Sequence, residues 1–340
     1  MPVPASRRIQ ILIIAALASL AVACDSNRPS VSNTETRKIT IAQFGDFFLY
    51  APLYIAIDAG YFRQQGLEVT LLSTGGDDKT WAAVLSGDAE FGVADPTFVA
   101  IAGTKGQPGR VVANIVNGVP FWGVAYRDDI PLITSPKLLK PYTVATFPSP
   151  STAFTLQTKM FQDAGLEPKI RQGAFGTLLS LVQTKQADIA LELEPNVSQA
   201  ARGGAHVVYS MKDIYGPFAI TGLTATPETA TSDGKLIEQV TCGLQLALDH
   251  LRDNTANSLD LLSRRFPDLS PEASEAALTR VLREGIIPET LTTGKDAWAS
   301  AINLRVSTGD LPKQDDAYAS YLLNVFAAKA ATSEVCRARR

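Results

Sequence analysis

Short runs rich in β-branched residues alternate along the chain with longer segments whose apolar positions recur at helical spacing, the signature of an α/β protein with mostly parallel sheets. The first series predicts strands over 38–43, 68–72, 90–93 and 110–116, with helices near 52–64, 77–85 and 96–103 between them. A further extended run over 121–126 closes it. After a polar, proline-bearing stretch over 127–141, a second series predicts strands over 142–146, 169–171, 189–191 and 206–208, with helices over 152–164, 175–185 and 195–202. The extended run 218–226 then leads into helical sequence at 235–252, 271–284, 297–307 and 316–330. No third sheet is visible in this pattern, so the last helices are expected to pack back on the first series.

A chain that leaves one lobe, builds another and returns crosses twice, here near Tyr126 and Ala219, and two crossings make a hinge. The expected division is a first lobe of 38–126 with 219–330, a second lobe of 127–218 and a C-terminal tail of 331–340. In open α/β sheets ligands bind beyond the carboxyl ends of the strands, so two facing lobes define a cleft lined by the loops after each strand.

The beginning of the chain has a different character. Arg7 and Arg8 precede an apolar run over 9–20, too short for the roughly 20 residues that cross a bilayer, and small residues follow. This is the pattern of an export signal over 1–23. The box Leu20-Ala21-Val22-Ala23-Cys24 resembles a bacterial lipoprotein cleavage site, where the cysteine is acylated. Its leucine stands four residues before the cysteine instead of three, so ordinary signal cleavage is the alternative. The stretch 24–37 is rich in Ser, Asn, Thr and Pro, the composition of a flexible tether. A lipid anchor on Cys24 is therefore expected, at the periplasmic or outer face of the cell membrane.

Composition narrows the function further. A chain of 340 residues, 46% apolar and 19% charged, exceeds one typical core and fits two lobes. With 31 basic against 34 acidic residues it lacks the basic surplus of a nucleic-acid binder. The only histidines, His206 in a strand pattern and His250 in a helix pattern, offer no Ser-His-Asp logic. No Cys or His spacing suits a metal and no glycine-rich phosphate loop is present, so neither catalysis nor a cofactor is expected. Cys242 lies in an apolar helical pattern and Cys336 in a basic tail, and two unpaired thiols are expected. A monomer is expected.

The segment 51–93 carries a composite pattern: Ala51-Pro52-Leu53-Tyr54-Ile55-Ala56, Gly60-Tyr61-Phe62, Gly66-Leu67-Glu68-Val69, then Leu85-Ser86-Gly87-Asp88-Ala89-Glu90-Phe91-Gly92-Val93. It resembles the substrate-binding proteins of ABC importers, in the group that handles nitrate, taurine, alkanesulfonates and thiamine-pyrimidine precursors. Looser likenesses at 162–166 and 185–191 extend the resemblance over most of the mature chain. The resemblance implies a type II periplasmic binding protein fold, no catalysis, and delivery of a small solute to a membrane permease. Gly60, Gly66 and Gly87 have a structural reading of their own, as turn and helix-end residues with positive φ.

Ligand residues are sought in the post-strand loops. Phe44 to Tyr50 packs Phe44, Phe47, Phe48 and Tyr50 around Asp46, either to meet a ligand or for interlobe packing. Thr74, Gly75 and Asp77, like Asp95, sit between strand and helix, where they hold polar ligand groups or cap a helix. Trp122, at the first crossing, reaches the cleft floor or wedges the hinge. Ser149, Ser151 and Thr152 precede a helix whose N-terminal amides suit an oxygen of the ligand. Phe175 repeats that geometry with an aromatic ring. Glu192 and Glu194 stand two residues apart at a strand end; one of them is expected to face the cleft, and Glu192 is taken as that residue.

These loops carry Asp46, Asp77, Asp78, Asp95, Glu192 and Glu194 against Lys79 alone. Such a lining disfavours a bare anion and favours an amine-bearing or N-heteroaromatic solute such as a pyrimidine. The alternatives are a sulfonate, taurine or nitrate, an exported sensor in place of an importer component, or an enzyme on the same fold.

Overall fold

The computed structural model describes residues 36–313 and 317–337. The leader over 1–23, Cys24 and all but the last two residues of the tether lie outside the described residues. Strand β1 (Arg37–Gln43) is followed by α1 (Ala51–Asp58) and α2 (Tyr61–Gln64), then by β2 (Leu67–Ser73) and α3 (Asp77–Ser86). Next come β3 (Phe91–Ala94), α4 (Phe98–Gly103) and β4 (Arg110–Asn117). The predicted helix over 52–64 is two helices because Gly60, at φ 79°, turns the chain between them. Gly87 closes α3 in the left-handed conformation, as its place in the pattern suggests.

The second series runs through β5 (Trp122–Ala125), β6 (Val144–Thr146), α5 (Thr152–Asp163), β7 (Ile170–Gln172) and α6 (Leu178–Gln183). It ends with β8 (Ile189–Glu192), α7 (Asn196–Arg202), β9 (His206–Ser210) and α8 (Lys212–Tyr215). After β10 (Ala219–Ala225) the chain is helical: α9 (Pro227–Ser232), α10 (Gly234–Asp253), α11 (Thr255–Arg265), α12 (Pro271–Arg283), α13 (Lys295–Ser307) and α14 (Val325–Thr332). Helix α11 was not expected, because its sequence is mostly polar with a narrow stripe of Leu259, Leu261 and Leu262. The predicted helix over 316–330 begins only at Val325.

Two five-stranded sheets result, in the orders β2-β1-β3-β10-β4 and β7-β6-β8-β5-β9. This is the predicted two-lobed α/β architecture, with two corrections. The sheets are mixed: β10 runs antiparallel to β3 and β4, and β5 antiparallel to β8 and β9. Each of these strands enters its sheet straight from a crossing, against the direction of the βαβ units beside it. Because β5 belongs to the second sheet, the first crossing lies at 118–121 and not at Tyr126. Its close approach to β9 requires Gly123, where a Cβ would stand 2.1 Å from the Tyr209 ring.

Interior strands β3 and β10 are buried along their whole length, whereas edge strand β2 alternates. Helix α10 packs on α1 and α2, α13 on β10, and α14 on α10 and β4, so the C-terminal helices cover the first lobe as expected; α12 also reaches α7 of the second. No helix among the described residues is long and apolar enough to cross a membrane.

The expectation of unpaired thiols is overturned. Cys242 of α10 and Cys336 form a disulfide, with Cα atoms 4.7 Å apart across 94 residues of sequence. The helical face that buries Cys242 also faces the returning tail, a proximity that sequence patterns do not encode. Replacing both cysteines with serine should lower unfolding stability by about 2–4 kcal/mol. Denaturant unfolding compared with the oxidised parent checks this, and equal midpoints would refute a structural role for the bond.

Candidate functional site

The strand tips of the two sheets meet around a cavity of about 40 Å³. From the first lobe it is lined by Phe44, Phe47, Leu49 and Tyr50 of the loop after β1, by Asp77 at the start of α3, and by Ile220 and Thr221 of β10. Pro120 and Phe121 come from the crossing. The second lobe supplies Phe147 after β6, Ser151, Thr152 and Ala153 at the start of α5, and Leu193 after β8. A larger groove of about 630 Å³ lies at the amino end of β2, away from these tips, and within it Asp58 pairs with Arg265.

The aromatic loop is held by Tyr54, whose hydroxyl accepts from the Phe47 amide at 3.1 Å and donates to Gln43 at 3.2 Å. Its rings close the lobes on each other. Phe47 meets the edge of Phe175 at 4.8 Å between centroids, and Phe44 lies 6.0 Å from Phe147. Interlobe packing and cavity lining therefore share the same residues. Asp46 points outward and accepts from Gln43 Nε2 at 2.8 Å, so it sets the loop and does not line the cavity.

Behind the cavity lies a buried charge network. Asp95 Oδ2 is 2.8 Å from Nη2 of Arg305, which α13 delivers at 1% side-chain exposure. Asp95 Oδ1 accepts from the amide and hydroxyl of Thr97, and Oδ2 also accepts from the Thr152 hydroxyl. Asp95 is thus fully occupied and stands one bond behind the cavity. Asp77 Oδ1 accepts from the Asp95 amide at 3.0 Å, while Oδ2 has no hydrogen-bond partner among the described residues. Burial, reinforced by the Asp95 charge, pushes the Asp77 carboxyl up to about 7. Opposite it, Ser151 caps α5 through the Phe154 amide, leaving the Thr152 and Ala153 amides of the first turn without backbone acceptors. Burial also raises the Tyr50 hydroxyl, which stays neutral beside Thr221.

Of the loop residues singled out in the sequence, Phe44, Phe47, Tyr50, Asp77, Ser151 and Thr152 line the cavity and Asp95 supports it. Phe175 is half exposed and packs over the Phe44 and Phe47 rings from outside. Thr74 and Gly75 form a turn that braces Phe44 through the Gly75 amide, 2.8 Å from the Phe44 carbonyl. Ser149 is exposed, its amide bonded to Gln172. Trp122 takes the wedge alternative: its indole N–H donates to Glu284 at 3.0 Å beneath α12. Glu192 is buried but off the cavity; burial lifts its carboxyl to about 7, with Oε2 on Asn196 and Oε1 unpartnered. Glu194 is buried as well and accepts from Arg280 Nε at 2.6 Å and from Ser198.

The acidic lining read from sequence is therefore corrected. Arg305 and Arg280, carried by helices far along the chain, offset Asp95 and Glu194, and Asp77 remains as the carboxyl that faces the cavity. Arg305 left one signal, a lone cation amid the apolar positions of 297–307.

Residues 48–169 match the model of the family described as NMT1/THI5 like. The provisionally described binding protein YtlA of Bacillus subtilis (strain 168) is 22% identical over 286 residues, 81% of this chain and 85% of that one. Among solved structures, the alkanesulfonate-binding protein SsuA from Xanthomonas axonopodis pv. citri, bound to MOPS, has a TM-score of 0.69. It is 17% identical and covers 85% of this chain and 98% of its own. The periplasmic nitrate-binding protein NrtA from Synechocystis PCC 6803 has a TM-score of 0.66 at 15% identity, covering 84% of this chain and 85% of its own. The chain has the periplasmic binding protein fold, and the likeness to ABC-importer binding proteins seen in its sequence holds.

The Asp77 carboxyl generates a pH prediction. Its folded pKa lies above the unfolded value near 4, so it contributes stability that is complete below about pH 4 and lost as pH rises through about 7. Asp77→Asn should therefore gain thermal stability over the parent at pH 8 and lose most of that advantage at pH 5. A pH-independent difference in thermal-shift midpoints would contradict this.

Proposed function

We propose that the chain is an extracytoplasmic solute-binding lipoprotein, anchored through Cys24, that clamps a small organic solute between its lobes and delivers it to an ABC importer permease. Support comes from the fold, the family match over 48–169 and the Cys242–Cys336 disulfide, a bond typical of oxidising compartments. The proposed solute bears an amine or an N-heteroaromatic ring. One observation carries this choice: Asp77, whose Oδ2 has no hydrogen-bond partner among the described residues, lines a cavity walled by the rings of Phe44, Phe47, Tyr50, Phe121 and Phe147. Aromatic faces suit a flat ring or a cation, and the carboxyl accepts from its nitrogen. A sulfonate-like anion is the second reading, favoured by the free amides at the start of α5 and by the arginines that offset Asp95 and Glu194.

A thermal-shift screen against aminopyrimidines, polyamines, taurine, alkanesulfonates and nitrate tests both readings. A solute at about one hundred times its Kd stabilises by about 2.7 kcal/mol. An amine-bearing hit should bind about tenfold or more weakly to Asp77→Asn, and a cationic one should lose affinity as pH falls below about 7, where Asp77 takes up a proton. Stabilisation by sulfonates alone, undiminished in that variant, establishes the second reading. No stabilisation by any class refutes solute capture at this site.

A further inference from the structure

Arg305 spends its guanidinium across the lobe boundary. Within the first lobe, Nε donates to Thr97 Oγ1 at 3.1 Å, Nη2 pairs with Asp95, and Nη1 with Asp310 at 3.2 Å. From the second lobe, Thr152 Oγ1 accepts from Nη2 at 3.0 Å and Thr155 Oγ1 from Nη1 at 3.3 Å, both on the first turn of α5. Thr152, Thr155 and Asp95 are all buried, and the Phe98 ring covers the guanidinium at 5.1 Å. A buried cation needs a complete set of acceptors, and this set is complete only when the lobes are together. A second group of interlobe bonds, Arg280 to Glu194 and Trp122 to Glu284, is carried by α12 and does not reach the cavity. The Arg305 group does reach it, through Thr152 directly and through Asp95 to Asp77.

We propose that Arg305 is a positioning residue for solute capture: it holds Thr152 against Asp95 and Thr155 against its own guanidinium, and so fixes the α5 N-terminus and the Asp77 carboxyl on opposite sides of the cavity, without touching the solute. The proposal rests on the solute-binding reading above. Lysine at this position would keep a charge for Asp95 but has no planar fork with which to reach Thr97, Thr155 and Thr152 together.

The test uses the threonines, because an Arg305 variant leaves Asp95 buried and alone and risks misfolding. Thr152→Val with Thr155→Val removes both hydroxyls at nearly constant shape; Thr152→Ser with Thr155→Ser restores them. Spin labels at exposed Lys105 of the first lobe and Glu167 of the second report interlobe distance with no solute added. The valine pair should shift the distance distribution towards wider separations and bind 4-aminopyrimidine about tenfold more weakly, with the serine pair restoring both. A distribution identical to the parent's overturns the proposal, and so does a shifted distribution with parental affinity. A parent that answers to no solute in the screen refutes the solute reading alone, since the distances are read without one.

Discussion

The Asp95–Arg305 ion pair is the constraint around which the cleft is organised. Both charges are almost wholly removed from water, a costly arrangement unless every donor and acceptor is matched. The matching groups come from three places: Thr97 beside Asp95, Asp310 beyond the end of α13, and Thr152 with Thr155 on α5. The pair therefore ties the C-terminal helices, the loop after β3 and the second lobe into one junction. It also frees Asp77 for another task, since the guanidinium is committed to Asp95.

Around that junction the cavity is built from parts with double duties. Phe44 and Phe47 are core residues of the first lobe by burial, yet their rings also line the cavity opposite Phe147 and are covered from outside by Phe175. The start of α5 is a capped helix end by Ser151 and a set of unsatisfied amides by Thr152 and Ala153. Such sharing explains why a site of this kind is compact: few residues are spared from packing for binding alone.

Much of the fold was legible in the sequence because β-branched runs and helical periodicity are local signals. Strands such as β3 and β8 and helices such as α5 and α10 fall close to where the pattern puts them. Partnership between elements is not local. The run Trp122–Ala125 reads as a strand, but nothing in four residues says that it joins the second sheet. The same limit governs the site. Loop composition pointed to Phe44, Tyr50, Ser151 and Thr152, which line the cavity, but a charge count confined to loops missed Arg305, which stands 210 residues from Asp95, and with it the neutralisation of that carboxyl. Cys242 and Cys336 escaped for the same reason. Glu192 and Glu194 both proved buried, one on Asn196 and the other beneath Arg280, and neither lines the cavity.

The placement of β5 and β10 has a mechanical consequence. Each is the first strand after a crossing, and each lies inside its sheet, between β8 and β9 or between β3 and β4. Torque arriving along either connecting segment is thus delivered to the interior of a hydrogen-bonded slab and spread over two neighbours at once. The lobes should swing as stiff plates, with bending confined to the few residues at 118–121 and 211–218.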